Sequence, residues 1–267
     1  MIEARKLGQI LLSALLGATL LRSPVADACC IQQTRSASVL TTRETKVPDD
    51  GGILVGWHSG GVTRDGDEQY GDISNQPSWK VKIGKAAAVG VTRVSLAPGL
   101  TVYMPPAGKG EFTLVDGKGF SVGKFNHDAK AAKNALIAPT AEALKVWTIP
   151  DFRAQDRHAQ LTLKSAPPAE AVAIIVYQVG KTENVAISFA RLPDTHDKLT
   201  TLEVFQDAGR CGSLVPGTRP PAHGDSIAFA WVDAFGRRSP LSATITAKAN
   251  PDPNAPAPVP GPKRRVK

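Results

Sequence analysis

The sequence predicts an all-β chain built as two tandem β-sandwich domains, and three observations carry that expectation. First, Ile227, Phe229 and Trp231 alternate with Ser226, Ala228 and Ala230, the period-two pattern of a strand with one heavily packed face. Second, about seven such segments follow one another over roughly 110 residues of the second half, a spacing that suits two packed sheets. Third, 24 glycines and 21 prolines among 267 residues call for many turns and few long helices.

The amino terminus comes first in order. Arg5 and Lys6 precede an apolar run from Ile10 to Leu21, and Ala26-Asp27-Ala28 fits the small-residue cleavage rule of an export signal. The run is too short to cross a bilayer comfortably, and no transmembrane segment is expected once residues 1–28 are removed. The mature chain would start at Cys29 and be secreted or periplasmic. Lipid anchoring through Cys29 is the alternative, although Ala26 stands where lipoprotein signals usually carry a large aliphatic residue.

In the first domain, 29–125, candidate strands lie at 38–42, 52–57, 79–83, 89–96, 100–104, 111–115 and 119–122. Pro48-Asp49-Asp50-Gly51-Gly52, Pro98-Gly99, Pro105-Pro106 and Asp116-Gly117 punctuate them. Residues 63–78 read as a long loop. Phe112 and Leu114, followed after Asp116-Gly117 by Phe120 and Val122, read as a hairpin. Pro-Asp-Asp-Gly-Gly-Ile-Leu-Val at 48–55, with Leu-Ala-Pro-Gly-Leu-Thr-Val at 96–102, loosely resembles bacterial immunoglobulin-like modules. The alanine-rich 126–139, with room for a turn or two of helix before Pro139, reads as the linker.

The second domain, 140–249, starts with strand-like 144–149. His158 to Lys164 alternates, with Ala159, Leu161 and Leu163 inward. Ala171 to Val179 is apolar on both sides, as a strand covered on both faces should be. Val185, Ile187 and Phe189 alternate, then Leu202 and Val204. After the strand at 226–232, Asp233-Ala234-Phe235-Gly236 makes a turn in which glycine can take positive φ. Leu241, Ala243, Ile245 and Ala247 are then expected to face inward from a last strand. This ending, with Pro216-Gly217 and Gly224-Asp225 upstream, resembles the last two strands of a fibronectin type III module. Trp231 departs from that pattern, where a smaller residue is common. The resemblance implies a packing pattern and no shared activity. Residues 250–267 are proline-rich and end in Lys263-Arg264-Arg265-Val266-Lys267, an extended basic tail that builds no core.

Of the formal net charge of +8, the tail carries +3 in a short segment, and the remainder is too diffuse for a nucleic-acid surface, so no nucleic-acid partner is expected. The tail supplies at most a weak attraction to anionic polymers. Val179-Gly180-Lys181-Thr182 fails as a phosphate loop, because Ile175 stands where a glycine is required and 184–190 reads as strand. Asp65, Asp67, Glu68 and Asp72 share one loop, but Tyr70 occupies the glycine position of the helix-loop-helix calcium pattern. His58 and Ser59 are adjacent and so point to opposite faces of a strand. His127, His158, His196 and His223 lack metal-ligand spacing and read as surface residues. Trp57, Trp79 and Trp147 are either a sugar-stacking platform or core.

No catalytic, cofactor-binding or metal residue is therefore assigned, and no cofactor. The reading is a non-enzymatic binding or structural protein that presents loops to a protein or cell-envelope glycan. The alternative is an accessory protein or a hydrolase with a site assembled from loops. Cys30 and Cys211 are expected to form a disulfide, with Cys29 as the other candidate partner, since a lone thiol in an exported protein is open to oxidation. Closing a loop of about 180 residues contributes on the order of 5 kcal/mol in the chain-entropy treatment. Non-reducing peptide mapping of exported protein should recover Cys211 in a cross-linked peptide; a free Cys211 thiol contradicts this.

Overall fold

The computed structural model describes residues 35–41, 46–59, 79–105, 110–115, 121–128, 136–150, 155–207 and 218–250. All of them fall in one compact unit, Thr34–Lys267. Every regular element among the described residues is a strand, so the chain is all-β as its alternation predicts. Among those residues no helix is long and apolar enough to cross a membrane. The suggested helical turn before Pro139 lies, apart from Leu136, outside the described residues.

The first half contains β1 (Arg35–Val39), β2 (Lys46–Val47), β3 (Ile53–Ser59), β4 (Lys80–Ile83), β5 (Val89–Gly90), β6 (Thr92–Ala97), β7 (Leu100–Met104), β8 (Gly110–Val115) and β9 (Ser121–His127). A four-stranded sheet runs β1-β3-β7-β6, and a five-stranded sheet runs β2-β9-β8-β4-β5. Ile53 and Val55 of one meet Val81, Phe112, Leu114 and Phe125 of the other in a common buried cluster. The expected hairpin is present, with β8 and β9 antiparallel and Val122 buried.

The second half contains β10 (Ala141–Pro150), β11 (Gln155–Leu163), β12 (Ala171–Val179), β13 (Asn184–Arg191), β14 (Thr201–Asp207), β15 (Ser226–Asp233) and β16 (Ile245–Ala249). They form one continuous sheet, β13-β12-β15-β16-β10-β11-β14, that closes over its own core. Strand β16 is the fold line: it pairs antiparallel with β15 and parallel with β10. Leu144, Leu161 and Val204 on one limb thereby meet Ile174, Ile187 and Phe229 on the other. Trp231 is buried in the same cluster at 2% exposure, so the large residue at that position is accommodated between the limbs.

A third buried cluster joins the halves. Leu54, Leu100 and Val102 from the β1-β3-β7-β6 sheet pack against Ala173, Ile175, Tyr177, Ala230 and Val232 of β12 and β15. Both inner sheets are therefore covered on both faces, and this is why 171–179 carries no polar alternation. Alanines at 173 and 230 are small enough to let the sheets approach. The turn after β15 seals one end. Gly236, at φ 80°, would place a Cβ 2.1 Å from the Val102 side chain, so no larger residue fits without displacement. Gly52 donates its N–H to the Phe235 carbonyl at 2.9 Å, and Thr41 Oγ1 donates to the Ala234 carbonyl.

The last strand departs from its expected pattern. Regular pairing begins only at Ile245, Leu241 is exposed and Ser242 is buried. Pro240 has no N–H to give the ladder, and serine hydroxyls stand in: Ser239 Oγ accepts from Trp231 N at 2.9 Å and Ser242 Oγ from Phe229 N at 3.0 Å. Buried serines with satisfied hydroxyls replace the alternating apolar face.

Two outcomes follow from this packing. Ile175→Ala, which opens a cavity in the cluster shared by both halves, should cost about 2–5 kcal/mol. The loss should appear as one cooperative transition by fluorescence and circular dichroism alike; two separate transitions would contradict a shared core. The second concerns Tyr103, buried against Trp79 with ring centroids 5.0 Å apart. Burial pushes its hydroxyl above the ordinary 10.0, while the Arg93 cation pulls the other way. The unfolded chain therefore ionises first as pH rises. Stability is full below pH 10 and is lost as pH climbs towards the folded value. Tyr103→Phe should therefore make the loss of stability above pH 10 shallower in denaturant unfolding curves; an unchanged alkaline slope would overturn this.

Candidate functional site

Along β10 the inward residues Leu144 and Val146 alternate with the outward Lys145 and Trp147. Strand β16 pairs with β10 only across Leu144–Val146, ending at Ala249. Beyond that point the β10–β11 hairpin overhangs, with Trp147 opposite His158 and Thr148 opposite Arg157. Among the described residues no strand pairs with 147–150 on the β16 side. A cleft of about 710 Å³ occupies this step, within the range of small-ligand sites. Its walls are the overhanging hairpin, the segment Arg219-Pro220-Pro221-Ala222-His223, and the end of β16 with Asn250.

The cleft is held by local hydrogen bonds. Arg219 N donates to the Ile187 carbonyl at 3.0 Å, tying the segment to β13. Asp225 accepts from Ala222 N at 2.9 Å through one carboxylate oxygen and from Gln178 Nε2 at 3.3 Å through the other. Gly224, at φ 89°, donates to the Ala247 carbonyl. His223 Nδ1 accepts from Ala249 N at 3.1 Å, so the neutral ring carries its proton on Nε2 as a donor. Asn250 N closes the end of β16 onto the Val146 carbonyl. A segment without regular structure is thus anchored to three strands.

On the hairpin wall the Trp147 indole lies nearly parallel to the His158 imidazole, 6° apart with centroids at 5.2 Å. His158 Nδ1 is 2.7 Å from Glu203 Oε1, which orients the ring. Its Nε2 is buried and has no hydrogen-bond partner among the described residues. Arg157 and Arg219 are both exposed on the cleft wall. The site therefore combines a stacked planar surface, two guanidinium groups and an imidazole donor, with the carboxylates of Glu203 and Asp225 behind its walls.

The other residues weighed from the sequence are scattered. Trp79 belongs to the core of the first half and Trp147 to the cleft, so these two do not share a platform; the side chain of Trp57 is outside the described residues, as is that of His58. Cys29, Cys30, Cys211 and the acidic loop 65–72 also lie outside them. Lys181 and Thr182 sit in the turn between the antiparallel β12 and β13, where Gly180 N donates to the Glu183 carbonyl. Two histidines correct the surface reading. His127 is 7% exposed with Nε2 2.9 Å from Asp49, and His158 is 11% exposed beside Glu203. Each carboxylate comes from a distant part of the chain, so neither pairing had a spacing to betray it. Arg219 and the two prolines after it likewise carried no motif. Among the described residues no three of His, Cys, Asp and Glu converge to hold a metal ion.

A scan of the chain against protein-family models finds no match, and a search among curated proteins finds none either.

Proposed function

We propose that this is an exported, non-enzymatic binding protein of two immunoglobulin-type sandwiches that holds a cell-envelope glycan in the cleft at the β10–β11 overhang. The strand orders support the immunoglobulin-type reading. Labelled A to G, the first half runs A-B-E-D against A′-G-F-C-C′, and the second runs A-B-E against G-F-C-C′. A parallel pairing of an early strand with the last one, β2 with β9 and β10 with β16, recurs in both. The export signal before Cys29 supports a secreted or periplasmic location.

The observation that carries the binding reading is the Trp147–His158 stack set beside an anchored, proline-bearing wall. A half-buried aromatic on an outward sheet face, ordered by a neighbouring ring, offers a ready surface for the C–H face of a sugar. Among the described residues the edge of β10 at 147–150 has no strand partner on the β16 side, which favours a second reading, an extended protein segment added as a strand. The His158–Glu203 pair is the one feature that favours a hydrolase, yet its Nε2 is closed off from the cleft solvent.

A pull-down of mature protein, residues 29–267, with cell-wall glycans should retain it, and Trp147→Ala should weaken retention about three- to tenfold at an unchanged thermal midpoint. Equal retention of the variant would show that the cleft is not the site.

A further inference from the structure

We infer that the cleft selects an acidic sugar, a uronic-acid unit of a glycan, over its neutral counterpart. This deepens the glycan-binding reading and rests on it. The cleft walls carry Arg157 and Arg219, and His223 presents Nε2 as a donor. These are donors only, and guanidinium groups match a carboxylate with paired hydrogen bonds. Arg219 is exposed, and no side-chain partner for it is found among the described residues, so its charge is uncommitted there. Among the described residues no acidic one lines the cleft itself.

Two carboxylates stand behind the cleft walls: Asp225, which accepts from Ala222 N at 2.9 Å, and Glu203, which sits 2.7 Å from His158. Their negative charge disfavours a polyphosphate more than a ligand with a single carboxylate. Thr148 and Asn250 add neutral polar groups to the walls. A ligand should therefore offer one carboxylate to Arg219, hydroxyls to the neutral groups, and a ring face to Trp147. An acidic sugar has all three. The chain's own basic end, Lys263 to Lys267, is the wrong sign to occupy the cleft, and its charge suits the same ligand.

The test is calorimetric titration of the mature protein with oligogalacturonate and with its carboxyl-reduced, neutral counterpart, at low and raised salt. The acidic oligomer should bind about tenfold more tightly than the neutral one. Arg219→Gln, a change at an exposed side chain, should bring the two to parity with no change in thermal midpoint, and raised salt should narrow the gap. Equal affinity for both oligomers in the wild type would overturn the acidic-sugar inference while leaving glycan binding in place. A preference that survives Arg219→Gln intact would overturn the assignment to this cleft. Binding of neither oligomer, or capture of an extended peptide instead, would overturn the inference together with the reading beneath it.

Discussion

The buried seam between the two inner sheets is the constraint on which the other features depend. Leu54, Leu100 and Val102 on one side and Ala173, Ile175, Ala230 and Val232 on the other are all at or below 3% exposure. Burying them leaves no polar face on β12 or β15, so neither strand could stand at a solvent boundary. A continuous apolar seam of this kind holds the two halves together in one compact unit. The turn at 233–236 reinforces it. Asp233, almost wholly buried, accepts from the N–H groups of Phe235 and Arg237 and pairs with Arg237 Nε at 2.6 Å, while Arg237 also faces Asp50 across the seam at 3.7 Å. Hydrogen bonds of this kind contribute more than neutral ones because the acceptor is ionised, and Asp233 accepts three of them.

The cleft inherits its rigidity from this arrangement at one remove. Strand β15 is fixed by the seam, β16 pairs with β15 through Ser226 and Ile227, and β10 lies on β16. The overhang exists because β16 stops pairing at Ala249 while the β10–β11 ladder continues to Pro150. A strand-length mismatch thus creates a step, and the anchored segment at 219–223 turns that step into a walled site. Preorganisation of this sort limits the ordering cost that a ligand would otherwise meet.

Much of the fold was legible in the chain. Alternation at 158–164 fixes which residues face inward, because a strand's period of two leaves no other arrangement; at 226–232 it marked the Ile227, Phe229 and Trp231 face, while the opposite face, also buried, carried no such signal. The unbroken apolar run at 171–179 announced a strand with two covered faces, and Gly236 announced the positive φ that its turn requires. The sequence also predicted an inward-facing ladder through Leu241, and there Pro240 overrode the pattern: a residue without an N–H shifts hydrogen bonding onto Ser239 and Ser242. Local pattern cannot show that substitution, since serine in alternation looks like an outward residue.

What the sequence determined by itself was the all-β class, most strand positions and the inward face of strands such as β11, since these follow from neighbours a few residues apart. What only the tertiary structure decided was which faces meet and which distant groups pair. Nothing near Trp147 in the chain indicates Arg219 or His223, and nothing near His158 indicates Glu203. The physical reason is that β-sheet order is set by non-local backbone pairing and by the fit of buried side chains. A fold line such as β16, joined to β15 on one side and to β10 on the other, has no signature shorter than the whole domain.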